Sequence, residues 1–407
     1  MQDRSLKMLS TRRFKRLLPL MLLLSQSITL SLANEWTGNL SAETRGFAEK
    51  ATLTDQSQFY GSISLHPEYY HEWENGVQSL TASVFARKSF QNESRSHIDL
   101  RELYWTFVSE DWELRVGVRK IFWGVTESQH LVDIVNQTDF VESFDGEEKL
   151  GQPMVNLAWI QDWGTLDLFI LTGFRQREFP SSDARLRTEL VINSDEALYE
   201  SDQEKSHIDF AIRYSHVLGD WDIGLSLFYG TSREPRFELV NAGSNVKLVP
   251  YYDIINQTGL DVQATLENWL WKAESIYRNG MGENYIATTF GLEYSFYDIA
   301  STGLDIGLVT EHLYDSRQST ATNAFENDLM LGLRFALNDT QSTEALAGII
   351  QDIDGEATVL SLEANRRIGD QIKITLEGYL FSHTDNQDLL YSFRNDDYVQ
   401  LELGYFF

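Results

Sequence analysis

The chain has 407 residues, no cysteine, and 33 basic against 61 acidic side chains, a formal charge of −28. That balance disfavours nucleic acid and anionic polymers as partners, and the missing cysteines exclude disulfide staples. No run of eighteen apolar residues occurs, so no transmembrane helix is expected; yet aromatics make up 13% of the chain against six prolines, which suits an interface-girdled membrane barrel better than a soluble acidic β-protein.

In chain order, Lys7, Arg12, Arg13, Lys15 and Arg16 precede the apolar run 17–24, and Ser31-Leu32-Ala33 follows. This is the pattern of a secretory signal peptide cleaved after Ala33, with an apolar core too short to span a bilayer. Two parts are therefore expected: a signal peptide over 1–33 and one domain over 34–407. Removing 1–33 takes six basic and one acidic side chain from the total, leaving 27 and 60 and a formal charge of −33.

From there the chain reads as strands. Trp36, Gly38, Leu40 and Ala42 alternate with Thr37, Asn39, Ser41, Glu43 and Arg45, and Phe59, Gly61, Ile63 and Leu65 alternate with Tyr60, Ser62 and Ser64. Glu74-Asn75-Gly76 is a tight hairpin signal. The same period of two recurs through Leu103, Trp105 and Phe107, through Ile223, Leu225 and Leu227, through Leu329, Leu331 and Leu333, and through Leu360 and Leu362. Each stretch is long enough to cross a bilayer as a tilted strand of about ten residues. Short turns, at 110–111, 162–164, 219–220 and 369–370 among others, alternate with mostly longer polar loops. The spacing predicts an all-β fold: a single antiparallel transmembrane β-barrel of about 18 strands, with about 16 as the alternative count. An even count places both termini on the periplasmic side. A first strand at the start of the domain leaves no room for a folded plug.

The final stretch alternates Val399, Leu401, Leu403, Tyr405 and Phe407 with Tyr398, Gln400, Glu402, Gly404 and Phe406. It resembles the terminal strand of Gram-negative outer-membrane barrels, in which a C-terminal Phe with alternating apolar positions is read by the assembly machinery. The resemblance implies the outer membrane as location, with its lipid, lipopolysaccharide and the barrel-assembly machinery as partners. Val399, Leu401, Leu403, Tyr405 and Phe407 would form the assembly signal.

Residues 121–152 form the first long loop. Ile121-Phe-Trp-Gly124 opens it, Gly151-Gln-Pro153 closes it, and Leu131, Val132, Ile134 and Val135 have helical spacing. Glu127, His130, Asp133, Asp139 and Glu142 lie inside it, while Arg45, Arg87, Arg115 and Arg119 occupy lumen-facing positions on the early strands. Here the chain resembles porins, whose third outer loop folds inward so that acidic groups face an arginine cluster. The strand number and the Phe-Trp-Gly stretch resemble the alginate-export-like porins, but so acidic a chain departs from what an anionic polymer requires, and that substrate is not carried over. The resemblance implies a pore constriction made of these nine residues. The bland alternatives are a surface loop and a structural ladder of opposed charges.

The histidines are scattered, no Gly-x-Ser-x-Gly motif occurs, and no His/Asp spacing resembles a metal site. No catalytic residue, metal or cofactor is expected, and Asp352-Ile-Asp354-Gly-Glu356 reads as a turn because the full calcium loop is missing. The leading expectation is a non-enzymatic outer-membrane porin-like channel for passive diffusion of small hydrophilic solutes, cation-preferring, with the 121–152 loop as constriction. The alternative is a non-conducting barrel, an adhesin or a scaffold for a partner, to which the long acidic loops 175–206 and 231–256 would lend themselves. Homo-oligomerisation is left open.

Overall fold

The computed structural model describes residues 34–242, 245–384 and 388–407; the expected signal peptide lies outside them. Strands follow one another as β1 (Asn34–Phe47), β2 (Phe59–Trp73), β3 (Gln78–Ser89), β4 (His97–Val108), β5 (Trp112–Arg119), β6 (Gln152–Gln161) and β7 (Gly164–Leu171). A two-residue β8 (Leu198–Tyr199) precedes β9 (Asp209–Leu218) and β10 (Trp221–Thr231). Then come β11 (Arg236–Ala242), β12 (Asn245–Tyr252), β13 (Ile254–Leu266), β14 (Trp269–Asn279), β15 (Tyr285–Phe296) and β16 (Asp305–Asp315). The last are β17 (Asn327–Ala336), β18 (Glu344–Asp352), β19 (Thr358–Ile368), β20 (Ile372–Ser382) and β21 (Tyr398–Phe406).

Eighteen of these form one antiparallel sheet in which each strand pairs with its neighbours, and β21 pairs back onto β1. The sheet is a closed barrel, as the alternation predicted. β8, β11 and β12 form a separate small sheet within the long loops. No α-helix occurs among the described residues. Closure is completed by a reciprocal pair of backbone bonds, Gly38 N–H to Phe407 O and Phe407 N–H to Gly38 O, both 3.1 Å. A side chain at Gly38 would put a Cβ 2.5 Å from the His66 carbonyl, so only glycine lets the strands close there.

Facing follows the period of two. Leu331, Leu362 and Leu401 are 46%, 40% and 45% exposed on the outside, while Glu43, Arg45, Asp261, Glu274 and Glu311 are buried on the inside. The short turns gather at one end, where Phe107 stacks on Trp112, Trp163 on Tyr214, and Trp269 meets Tyr294 edge-on. That ring of aromatics beside an apolar wall is what a membrane interface selects.

The alternation slips once in a telling way. Ile98 and Leu100 face out, and so do Leu103, Trp105 and Phe107, although the two sets differ in parity. A bulge absorbs the extra residue: Ser83 pairs with Glu102 and Val84 with Leu100, leaving Arg101 unpaired and turned inward. Arg101 is 2% exposed.

Candidate functional site: the inward loop

The segment 120–151 lies inside the barrel. Its contacts run from the β1–β4 wall to the β14–β17 wall, which only a segment crossing the lumen can reach. The helical spacing of Leu131, Val132, Ile134 and Val135 does not make a helix: the loop is irregular, with one bridge between Thr138 and Lys149. The same apolar residues serve a different end. Val132, Ile134 and Val135, all 2% exposed or less, pack with Trp123 against inward-facing Phe169, Leu171, Phe228, Ile255 and Ile276. Part of the lumen is therefore a dry core rather than a charged, water-filled space throughout. Burying each of these three side chains contributes about 1.5–3 kcal/mol, whereas a buried ion pair roughly breaks even against its desolvation. The apolar patch holds the loop in; the polar contacts fix where it sits.

On the β14–β17 wall, strand carboxylates receive the loop's backbone. Glu274 accepts from the N–H groups of Val125 (2.7 Å), Thr126 (3.0 Å) and Val132 (3.1 Å) and from Thr126 Oγ1 (2.7 Å). Glu311 accepts from the N–H groups of Glu127 (2.7 Å) and Ser128 (2.8 Å) and from the Ser128 hydroxyl (2.5 Å). Glu127 itself reaches Arg334 at 2.7 Å and Lys272 at 3.4 Å. His130 is held between Glu147 (2.7 Å) and Glu274 (3.8 Å). Burial works against its charged form, but the two carboxylates outweigh that and lift the imidazole from 6.5 to about 10. Gly124 makes the approach possible, since a Cβ there would sit 2.4 Å from His130 Nδ1. Asp133 accepts from the N–H groups of Trp123 (2.7 Å) and Gly124 (3.0 Å) and lies 3.6 Å from Lys149.

On the β1–β4 wall the pattern reverses, and loop carboxylates meet strand and turn cations. Glu142 pairs with Arg87 at 2.8 Å and lies 3.7 Å from Arg95 and 3.5 Å from His97. Glu43 shares both arginines, 2.8 Å from Arg87 and 2.5 Å from Arg95. Asp139 pairs with the bulged Arg101 at 2.7 Å, and Arg101 also donates to the Lys149 carbonyl at 3.1 Å.

Of the four arginines expected at a constriction, Arg87 alone is within ion-pair distance of a loop carboxylate among the described residues. Arg45 donates to Gln400 (2.8 Å) over the Tyr398 ring, Arg115 pairs with Glu113, and Arg119 donates to Asn156 (2.9 Å) over Tyr104. Arg95 and Arg101, which complete the charged contact, went unnoticed in the sequence. The parity slip at 98–107 was the available signal for Arg101; Arg95, in a short connection, gave none. On the last strand, Val399, Leu401, Leu403, Tyr405 and Phe407 all present exposed side chains.

A second loop also turns inward. In the connection after β7, Arg185 is buried beneath Phe47, pairs with Asp396 at 2.5 Å, and donates its backbone N–H to the Tyr60 hydroxyl at 2.6 Å. This stretch belongs to what the sequence suggested was an outer loop; its tether lies on the opposite wall.

No family model matches the chain, and no curated protein sequence matches it. Solved structures do. Pseudomonas aeruginosa OccK3 (OpdO) is 10% identical over 92% of this chain and 96% of its own, with a TM-score of 0.52. Pseudomonas aeruginosa OccK11 (OpdR) is 10% identical over 92% and 95%, with a TM-score of 0.50. The Escherichia coli outer-membrane protein Wzi, a carbohydrate-binding β-barrel involved in group 1 capsule assembly, is 7% identical over 90% and 83%, with a TM-score of 0.52. At such identities the likeness concerns the fold, and it agrees with the closed antiparallel barrel of eighteen strands.

Proposed function

We propose that this chain is an outer-membrane porin-like channel for passive diffusion of small hydrophilic solutes, with the 121–152 loop as its constriction. The observation that carries the reading is the loop itself, strung between the two walls by Glu274 and Glu311 on one side and by Arg87 and Arg101 on the other. A sealed exterior of leucines, an aromatic ring at one end and the fold likeness to the OccK proteins support it. In this reading Phe407 and its alternating neighbours serve the assembly machinery, lipid and lipopolysaccharide surround the wall, both termini face the periplasm, and the chain is no enzyme. The formal charge of −33 beyond residue 33 favours cations at the mouths, and salt should weaken that preference.

A second reading, a non-conducting barrel that binds a partner, draws support from the fold likeness to the carbohydrate-binding Wzi. Planar-bilayer recording separates the two. The channel reading expects discrete conductance steps that grow when the loop is shortened between Thr126 and Glu148. A folded, inserted barrel that passes no current would overturn it.

A further inference from the structure

On the side of the inward loop away from the short turns lies a chamber of about 420 Å³, within the range of small-molecule sites. Its walls come from the inward loop, the connection after β7, the start of the connection after β10, and the segments 315–325 and 389–393. Besides His130 it is lined by six arginine and lysine side chains and four carboxylates, a local cationic surplus inside a strongly acidic chain.

Sorting those cations by partner shows where the surplus sits. Arg278 pairs with Glu234 at 2.7 Å, Arg317 with Asp315 at 2.6 Å, Arg233 with Asp209 at 2.6 Å, and Lys149 faces Asp133 at 3.6 Å. Arg177 and Arg187 have no carboxylate within ion-pair distance among the described residues. Arg177 donates to the Gln137 side-chain oxygen (3.2 Å) and the Arg233 carbonyl (3.0 Å), and lies over the Phe140 ring at 4.8 Å. Arg187 donates to the carbonyls of Thr188 (2.6 Å), Glu189 (3.0 Å) and Ser182 (3.3 Å), and its Nε is buried with no acceptor. Arg233, 4% exposed, likewise keeps a buried Nη2 without an acceptor. Neutral acceptors do not compensate a desolvated guanidinium as an anion does. Burial, with the nearby Arg278 cation in a smaller part, holds Arg177 below its ordinary pKa.

Much of the remaining lining is apolar, beside the side chains of Ser128, Gln129, Thr138, Thr188, Thr322 and Asn323. Phe140, Phe144, Phe179, Phe325, Phe393 and Leu186 all face this one space, and Phe140 is 39% exposed within it. Such rings hold an apolar body and offer no hydrogen bond to a small inorganic anion.

We infer that the chamber is a binding site for small organic anions with an apolar body, whose anionic group is taken by Arg177 or by Arg187 and whose body lies among the phenylalanines. The inference deepens the channel reading and rests on it: such an anion would dwell here on its way past the loop.

The probe is phenylacetate, set against acetate, which lacks the body, and 2-phenylacetamide, which lacks the charge. In single-channel recording, phenylacetate should interrupt the current at roughly tenfold lower concentration than either control, the equivalent of about 1.4 kcal/mol. Arg177→Gln with Arg187→Gln should abolish that difference, and Phe140→Ala should weaken it; heat-modifiable gel mobility reports that each variant is folded. If the double variant does not fold, each single arginine variant and Phe140→Ala decide the matter. A channel that conducts potassium chloride but treats the three probes alike overturns this inference and leaves the channel reading standing. A barrel that conducts nothing overturns the channel reading. Calorimetric titration of the detergent-solubilised protein with the three probes then decides the chamber: tighter binding of phenylacetate supports it, and equal or absent binding rejects it.

Discussion

The two ends of the inward loop are held by opposite chemistry. Toward β14–β17 the strands supply carboxylates and the loop supplies backbone N–H groups. Toward β1–β4 the loop supplies carboxylates and the wall supplies guanidinium groups. The first arrangement rests mainly on the loop's backbone, because every non-proline residue carries an N–H, although the Thr126 and Ser128 hydroxyls and the Glu127 carboxylate add to it. The second depends on particular side chains and is therefore sensitive to their exchange. A backbone-held tip and a side-chain-held stem should fail differently.

The largest expected effect comes from Glu274→Ala. It removes the acceptor of four hydrogen bonds and one partner of His130 at once. Charge-assisted bonds contribute about 1.5–3 kcal/mol each, so the tip at 125–130 should detach while the apolar patch at 132–135 stays packed. Conductance should rise and amide exchange at 125–128 should accelerate. Unchanged exchange there would mean that the carboxylate does not hold the tip.

Glu142→Gln should cost about 3 kcal/mol, the lower end for breaking a buried pair. It leaves Arg87 and Arg95 to share Glu43 alone, so reversal potentials in a salt gradient should move toward anions. Adding Arg87→Gln should recover part of the stability, and a strictly additive double-mutant cycle would show that the two groups are not coupled.

Gly124→Ala tests the junction between the two regimes. Its Cβ must displace the His130 ring, an overpacking cost of about 1–3 kcal/mol. Thermal melting should show that loss, with a smaller gain in conductance than Glu274→Ala gives.

The last test is the response to pH. His130 titrates near 10 in the folded chain against 6.5 ordinarily. The folded value is raised, so its contribution is complete below about 6.5 and drains away as pH climbs toward about 10. Its partner Glu147 is shifted down, burial opposing the shift and His130 causing it; that contribution is present above the ordinary 4.5 and is lost on acidification. Wild-type melting temperature should therefore fall across the alkaline window more steeply than that of His130→Gln. Parallel curves would remove His130 from the tether.

These contrasts also explain what could be seen in the sequence. Strand facing was legible because a period of two is local, and Leu331, Leu362 and Leu401 face outward as their neighbours demand. The inward course of the loop was expected only from the resemblance to porins; its residues alone left a surface loop open. The loop's anchorage was not legible. Nothing local singles out Glu274 or Glu311, since only barrel closure decides which wall faces the tip. Val132, Ile134 and Val135 had helical spacing, yet the lumen core chose them for their bulk and left the backbone irregular. Arg185 and Asp396 are 211 residues apart, and no local pattern joins them.

The reciprocal bonds between Gly38 and Phe407 set a schedule as well as a seam. They join the two ends of the described barrel, so the ring stays open until the last strand has been made. The loop's contacts differ in when they become available. Glu142 meets Arg95 at a separation of 47 residues, whereas Thr126 must wait for Glu274, 148 residues downstream. Shorter chain loops close at lower entropic cost, so the stem can be fastened while the tip still has no wall to meet. The inward loop can thus be seated on one wall of an unfinished cylinder before the other wall exists.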